Sequence, residues 1–331
     1  MSLLIIKPGL LDTIQDFGRY GFRHLGINPT GAMDRFSMEV ANILAGNNPG
    51  EAVLEMHFPA PVILFRQPTL IALAGADFSA SINAEPVPSL HPLVLGRNDV
   101  LQFHKPIHGA RAYLAVAGGF QADNWLNSCS THLKLGAGGH RGRALQKEDE
   151  INFKIQFPGL VKQDGLAILP WEAVTDWGDD SSELEVIAGN EWDFLTPEAR
   201  QIFASASFTI TPQSDRMGYR LDHAPLTVHR HDELVSSAVG FGTIQLLPDG
   251  KLILLAADHQ TTGGYPRIAH VITAHHSRLA QLGIGHRIGF RMISPELAEV
   301  RYLKQQQHLQ QLRNACTFRL EKYLHERFYQ L

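Results

Sequence analysis

The feature that most constrains this chain is a hydrophobic period of two, repeated in many short runs. Turn residues (Gly, Pro, Asn and Asp) separate these runs from one another. Because successive side chains of a strand point to opposite faces, the pattern predicts a mainly β fold built as barrels or sandwiches. The predicted strands are 62–65, 69–74, 78–82, 93–95, 100–103, 111–117, 183–187, 208–211, 242–247, 251–256, 268–273 and 287–293.

The clearest hairpin joins residues 243–247 to residues 251–255. Between them stand Pro248, Asp249 and Gly250. Proline presets one turn dihedral and glycine supplies a positive one, so these two strands are expected to pair antiparallel.

Helices are predicted to be few. Residues 35–45 place apolar side chains on one face of a predicted helix, with Asp34 as its N-cap. Residues 197–204 and 277–282 are candidates for shorter helices. The tail 296–330 contains no Gly or Pro and is predicted to be helical. Its apolar stripe is typical of a helix that packs on its own chain, and binding a partner protein is the alternative. The stripe consists of Leu309, Leu312, Cys316, Leu320, Tyr323 and Phe328.

The two halves of the chain resemble each other. Residues 68–77 and 250–258 are both Leu- and Ile-rich runs that end in small residues and Asp, which suggests two related β domains. The polar stretch 176–182 is the best linker candidate. We therefore predict a first β domain at 1–180, a second at 181–295 and a helical tail at 296–331.

Composition and missing motifs exclude several classes of protein. The 29 basic and 33 acidic residues give a net charge of -4, which offers no electrostatic reason to expect nucleic acid. No run is apolar enough for a membrane span, and the first residues lack the pattern of a secretion signal, so a cytoplasmic location is expected. P-loop, nucleophile-elbow and His-Glu-x-x-His motifs do not occur, and we predict no metal site despite the 17 His.

Three polar, glycine-rich segments are candidates for a ligand site: 8–34, 215–221, and 242–245 together with 257–266. Arg216 and Arg19 could clamp a carboxylate or a phosphate through two parallel N–H bonds. Asp258 and His259 follow a buried strand and are placed like a catalytic acid/base pair. The alternative is that these side chains only tie loops down.

Taken together, these segments resemble the family that contains allophanate hydrolase subunit 2 and the C subunit of 5-oxoprolinase, a biotin-dependent carboxyltransferase-like domain. The motifs that carry the resemblance are Gln15-Asp16-x-Gly18-Arg19, Gly31-Ala-Met-Asp34, Gly75-Ala-Asp77, Arg111 to Gly119, Arg216 to Leu221, Gly242-Thr-Ile-Gln245 and Gln260 to Pro266. One departure is Cys129, which stands where the family usually has Arg. The resemblance implies two cyclophilin-like β-barrel domains.

The resemblance also implies a reaction and partners. In this family, 5-oxo-L-proline is activated by phosphorylation, which involves the B subunit (allophanate hydrolase subunit 1-like) together with the C subunit. The A subunit then completes the opening to L-glutamate. ATP, with Mg²⁺, would be held by the complex, and no biotin would be attached to this chain.

Residue roles follow from the chemistry of the three segments together with this resemblance, although the position of His259 is variable in the family. Arg216, Asp258 and His259 are expected to be catalytic. The expected substrate-binding residues are Arg19, Tyr219, Thr243, Gln245, Gln260 and Thr261.

Two other functions stay open at this point. One is a carboxyltransferase subunit of the allophanate hydrolase or urea carboxylase type, although the chain has no Met-Lys-Met biotin-attachment motif. The other is a regulatory antagonist of a kinase-inhibitor protein.

Overall fold

The computed structural model describes residues 2–155, 165–175, 182–230 and 233–329. It divides into two compact units. Unit 1 comprises Met1–Arg19, Asp34–Thr175 and Gln307–Leu331, and unit 2 comprises Tyr20–Met33 and Asp176–Gln306. Within the described residues, no helix has the length and hydropathy needed to cross a membrane.

Unit 1 is built on two six-stranded antiparallel sheets. The first sheet contains, in spatial order, β11 (Glu150–Asn152), β1 (Ser2–Lys7), β4 (Val62–Phe65), β9 (Val100–Phe103), β6 (Ala80–Ile82) and β7 (Glu85–Pro86). The second contains β12 (Ala167–Ile168), β8 (Pro92–Leu95), β5 (Thr69–Asp77), β10 (His108–Val116), β3 (Val53–His57) and β2 (Thr13–Gln15). Apolar side chains from both sheets, such as Ile5 and Leu114, share one buried core.

Helix α1 (Arg35–Leu44) also belongs to unit 1, and its start confirms the predicted cap. The Asp34 carboxylate accepts the Ser37 backbone N–H at 2.9 Å and the Ser37 hydroxyl at 2.7 Å. A carboxylate at this position satisfies backbone donors that the first helical turn leaves without partners.

Unit 2 is a closed seven-stranded barrel. The strands around it are β13 (Glu183–Ala188), β20 (Arg267–Val271), β17 (Thr243–Leu246), β18 (Leu252–Leu255), β15 (Gly218–Asp222), β14 (Phe208–Ile210) and β21 (Arg287–Met292). A small separate ladder pairs β16 (Ser237–Ala238) with β19 (Thr262–Gly263). The predicted hairpin is confirmed, because β17 and β18 pair antiparallel with Leu246 opposite Leu252, and Gly250 has a φ of 77°.

The remaining helices are α2 (Pro197–Ser205), α3 (His276–Ala280) and α4 (Pro295–Tyr329), with 3-10 turns at Arg23–Leu25, Trp192–Phe194 and Thr273–His275. In unit 1, the tail helix α4 buries Leu309, Cys316 and Leu320, so this part of the predicted stripe does pack on its own chain. The side chain of Phe328 lies outside the described residues.

These features confirm the predicted fold class, a mainly β chain with few short helices and a C-terminal helix. The units differ from the predicted continuous ranges 1–180, 181–295 and 296–331 in two places. Residues 20–33 belong to unit 2, whose core includes Met33, and α4 is divided after Gln306. Residues 176–181 of the predicted linker lie outside the described residues.

Candidate functional site

The candidate site lies on the outer face of the unit 2 barrel. Along β17, Ile244 and Leu246 point into the barrel core, so Gln245 between them points to the opposite face. The neighbouring strand β18 behaves in the same way, with Leu252 and Leu254 in the core and Ile253 outside. Polar side chains on this face are therefore positioned by rigid strands.

Cross-strand register places three outer-face side chains in one row. Ile253 is the direct partner of Gln245 on one side and of Arg220 on the other. This row forms the floor of a pocket of about 360 Å³. The pocket is lined by Arg220, Gln245, Leu247, Pro248, Asp249, Ile253, Gln260 and Tyr265.

Two glutamines supply the side-chain amide groups of the pocket. Gln245 is fully buried, and its Oε1 accepts a hydrogen bond from Gln260 Nε2 at 3.2 Å. Gln245 Nε2 in turn donates to the Tyr265 carbonyl oxygen at 3.4 Å. A Cβ at Gly263 would come within 2.6 Å of Gln245 Nε2, so a side chain there would displace the Gln245 amide. Gln245 is thus held in one orientation by the loop that carries Gln260 and Tyr265.

Arg216 and Asp258, both predicted to be catalytic, bind each other. Arg216 Nε lies 3.0 Å from Asp258 Oδ2, and Arg216 Nη2 lies 3.2 Å from Asp258 Oδ1. The same Nη2 donates to the Gly31 carbonyl oxygen at 2.6 Å, and Asn28 Nδ2 donates to the Asp258 carbonyl oxygen at 2.9 Å. This two-pronged pair ties residues 28–31 to the start of the Gln260 loop, which is the loop-fixing alternative left open by the sequence.

A second arginine on this side of the barrel is also paired. Arg267 donates through Nε and Nη2 to the Glu191 carboxylate, at 3.0 and 2.8 Å. The hydrogen bonds that Arg267 donates to the Glu191 carboxylate raise the pKa of Arg267. Arg267 therefore orders the chain around Glu191, as Arg216 does around Asp258.

Arg220 differs from these two arginines. It is exposed, it lines the pocket, and it forms no ion pair with any residue in the described ranges. The other charged residue of the lining is Asp249, whose Oδ1 accepts the Lys251 backbone N–H at 3.0 Å. Arg220 is thus the basic group that the described pocket offers to an anionic ligand.

Three other residues of unit 2 that were predicted for the site, His259, Thr243 and Thr261, do not line the pocket. His259 is buried, with Nδ1 2.5 Å from the Gln260 carbonyl oxygen. Thr243 Oγ1 lies 3.1 Å from His270 Nδ1, and burial, reinforced by Arg267, lowers the pKa of His270. The Thr261 carbonyl oxygen accepts from Arg23 Nη2 at 3.3 Å. These contacts fix loop and strand positions.

Tyr219, expected to bind substrate, does not line the pocket. Tyr219 is 3% exposed and lies in the barrel core, while its neighbour Arg220 faces the pocket. No strand was predicted over 215–221, but Gly218–Asp222 is a strand, so Tyr219 and Arg220 point to opposite faces of it. Arg220 and Tyr265 line the pocket, and both lie in motifs that the sequence singles out although neither is among the predicted site residues.

Arg19 belongs to unit 1, where its contacts differ from those of a ligand clamp. It is 1% exposed, its Nη2 donates to the Ser130 carbonyl oxygen, and its guanidinium lies 4.8 Å from the centre of the Trp125 ring. Asp16 holds the same loop by accepting the Cys129 backbone N–H at 2.6 Å. This motif therefore organises a buried turn in unit 1.

The described residues contain no group of three or more His, Cys, Asp or Glu side chains arranged to hold a metal ion. The pocket itself supplies amide, guanidinium and aromatic groups, which suit a small organic ligand better than a cation.

Comparison with known proteins finds similarity over most of the chain. The family profile described as carboxyltransferase domain, subdomain A and B, matches residues 25–292. The C subunit of 5-oxoprolinase from Escherichia coli (strain K12) is 34% identical over 310 residues, which cover 94% of this chain and 97% of that protein. Urea amidolyase of Lachancea kluyveri is 30% identical over 92% of this chain but only 17% of its own length. The crystal structure of Kluyveromyces lactis urea carboxylase, 26% identical, matches 94% of this chain and 29% of that chain with a TM-score of 0.85.

Proposed function

Since this chain belongs to the family of carboxyltransferase domains with subdomains A and B, we propose that it is the C subunit of an ATP-dependent 5-oxoprolinase complex. The observation that carries the proposal is end-to-end similarity, because the match to the Escherichia coli C subunit spans nearly the whole of both chains. In the urea amidolyase relative, by contrast, the matching region is a small part of a much longer protein. The reaction proposed is the conversion of 5-oxo-L-proline to L-glutamate.

The chemistry requires activation of a poor electrophile. In the proposed scheme, the B and C subunits transfer the γ-phosphoryl group of ATP to the lactam carbonyl oxygen, breaking the bond to the β-phosphate and releasing ADP. One water adds to the activated carbon and the C–N bond breaks, which leaves an acyl phosphate. A second water then hydrolyses the acyl phosphate and releases phosphate, and the A subunit completes this ring opening. In total, one lactam, one ATP and two waters are converted to one glutamate, one ADP and one phosphate.

The pocket suits the amide part of this substrate. A five-membered lactam has a cis amide, so its N–H and C=O lie side by side on one edge. The primary amide of a glutamine presents a complementary donor and acceptor at the same spacing and can form two parallel hydrogen bonds with that edge. Gln260 is the candidate for this role, because Gln245 holds its Nε2 in place while its Oε1 has no hydrogen-bond partner among the described residues.

Nucleotide binding is proposed for the complex rather than for this pocket alone. A transferring phosphoryl group needs several converging cationic or N–H donors. The described lining contains one guanidinium, Arg220, while Arg216 and Arg267 are engaged with Asp258 and Glu191. We therefore propose that ATP and Mg²⁺ are held with the help of the B subunit.

The test is reconstitution. The chain is co-expressed with the proposed A and B subunits, and glutamate formed from 5-oxo-L-proline is measured with and without ATP. We expect ATP-dependent glutamate release from the full complex only. Glutamate formation that does not require this chain would reject the proposal.

A variant pair sharpens this test. Gln260→Leu removes the amide but keeps similar volume, and the loss of two hydrogen bonds predicts a drop of about 10- to 100-fold in kcat/KM. Gln213→Leu is the matched control, because Gln213 is exposed in the same unit and does not line the pocket. Equal activity of both variants would remove Gln260 from the site.

A second candidate is a carboxyltransferase subunit that acts on urea or a urea-derived amide. It is favoured by the similarity to urea amidolyase and by the structural match to urea carboxylase. Incubation with a carboxylated biotin carrier protein and urea distinguishes the two. Transfer of the carboxyl group to urea, with no glutamate from 5-oxoproline, would favour this second function.

A further inference from the structure

Building on the proposed function, we propose that Arg220 determines specificity by binding the carboxylate of the substrate. The pocket would then select anionic cyclic amides over neutral amides such as urea or an unsubstituted lactam. The amide edge is common to all these compounds, so the glutamines alone cannot tell them apart. A group that recognises negative charge is needed for the distinction.

The geometry places Arg220 at a useful distance from the amide groups. Arg220 and Gln245 flank Ile253 in one cross-strand row, so their backbones are two strand spacings apart, roughly 10 Å. The pocket that these side chains line, about 360 Å³, has room for a five-membered ring that carries a carboxylate and an amide.

The charges around the pocket support the same orientation. Arg216 and Arg267 each hold a carboxylate of the chain, whereas Arg220 holds none among the described residues. Asp249 lies on the turn between β17 and β18, and its charge would repel an anion placed beside it. An anionic group is therefore directed to the Arg220 side of the pocket, where two parallel N–H bonds are possible.

The apolar lining completes the match. Ile253, Leu247 and the ring of Tyr265, which is 45% exposed, offer contacts for the methylene groups of a small ring. Urea has no such methylene groups and no charge. The pocket therefore offers a matching group for each of three features of one ligand: an amide edge, an apolar ring and a carboxylate.

The inference is tested by calorimetric binding of L-5-oxoproline and of 2-pyrrolidinone, its analogue without the carboxylate, to the complex with the partner subunits. In the wild type we expect 5-oxoproline to bind about 10- to 100-fold more tightly, the range of a charge-assisted pair. Arg220→Gln should bring this ratio close to one by weakening 5-oxoproline alone. Arg97→Gln is the matched control, because Arg97 is exposed, lies outside the pocket and forms no ion pair within the described ranges.

The outcomes separate this inference from the proposed function. If Arg220→Gln keeps the wild-type ratio, or weakens both ligands equally, Arg220 is not the carboxylate anchor, and wild-type glutamate formation still supports the proposed function. If the wild-type complex forms no glutamate but shows the Arg220-dependent ratio, the proposed reaction fails and the anchor stands. If the wild type does not distinguish the two ligands, the anchor is rejected whatever the turnover.

Discussion

The pairing of Arg216 with Asp258 makes a prediction that separates a structural role from a catalytic one. The Arg216 side chain is 7% exposed and that of Asp258 is 17% exposed, and two N–H bonds join them at 3.0 and 3.2 Å. Removing either partner leaves the other charge largely buried without its counter-charge. We therefore expect Arg216→Ala and Asp258→Ala each to destabilise the barrel of unit 2.

The magnitude follows from burial. Breaking a fully buried ion pair costs about 3–5 kcal/mol, and the partial exposure of Asp258 reduces this to about 2–4 kcal/mol. The double variant should cost much less than the sum of the two single variants, because the second substitution removes a charge that has already lost its partner. The expected coupling energy is about 2 kcal/mol. The control pair Lys251 and Asp222, whose side chains are 32% and 71% exposed, should show no comparable coupling.

The assay is hydrogen exchange of the barrel strands under conditions where exchange reports the opening equilibrium. Peptides from β15 and β18 are followed, because these strands pair with each other directly. This readout isolates unit 2 from the rest of the chain. A coupling energy no larger than that of the control pair, combined with complete loss of turnover in Arg216→Ala, would refute the structural interpretation and restore Arg216 as a catalytic residue.

Three further predictions concern titration and capping. Burial, reinforced by Arg278, lowers the pKa of His275 from 6.5 to about 4. As pH falls from 6.5 towards 4, His275 is therefore protonated in the unfolded state before it is protonated in the folded state. Urea titrations of the wild type should show that the free energy of unfolding falls by about 3 kcal/mol over this window, and His275→Asn should show no such loss. Burial raises the pKa of Asp12 from 3.8 to about 7, so its contribution to stability falls as pH rises between these values. Asp12→Asn should be more stable than the wild type at pH 8, by a few kcal/mol, and equal to it near pH 4. Asp34→Ala should lose about 1–2 kcal/mol through the α1 cap at Ser37, and Asp34→Asn much less, measured by urea unfolding at neutral pH.

Most strands could be predicted from the sequence because the alternation of apolar and polar residues that marks a strand lies within a few consecutive residues. Predicted strands 62–65 and 100–103 coincide with β4 and β9, and most other predicted runs shift only at their ends. Strand β15 was missed because Gly218 and the arginines on either side of it are typical of a loop, whereas its pairing with β18 depends on residues far along the chain. That missed strand is why the expected residues include Tyr219 and not its neighbour Arg220, which lines the pocket.

The site itself could be predicted only as residue types. The sequence showed that Arg216 and Asp258 were unusual, but it could not show that they bind each other across 42 residues of chain. A guanidinium is an equally good partner for a ligand carboxylate and for a carboxylate of the same chain. Only the fold decides between these two uses.

The pairing of arginines with carboxylates of the same chain explains how the pocket could recognise one ligand specifically. A glutamine amide gains little free energy from one hydrogen bond in water, so it recognises a ligand well only when its orientation is fixed in advance. The pairs Arg216–Asp258 and Arg267–Glu191 are two-pronged ion pairs at the two ends of the loop that carries Gln260, so they hold that loop without help from a ligand. The paired arginines therefore contribute to recognition indirectly, by keeping the amide of Gln260 in place. Arg220, which lines the pocket and holds no carboxylate among the described residues, is the arginine that we propose for the ligand.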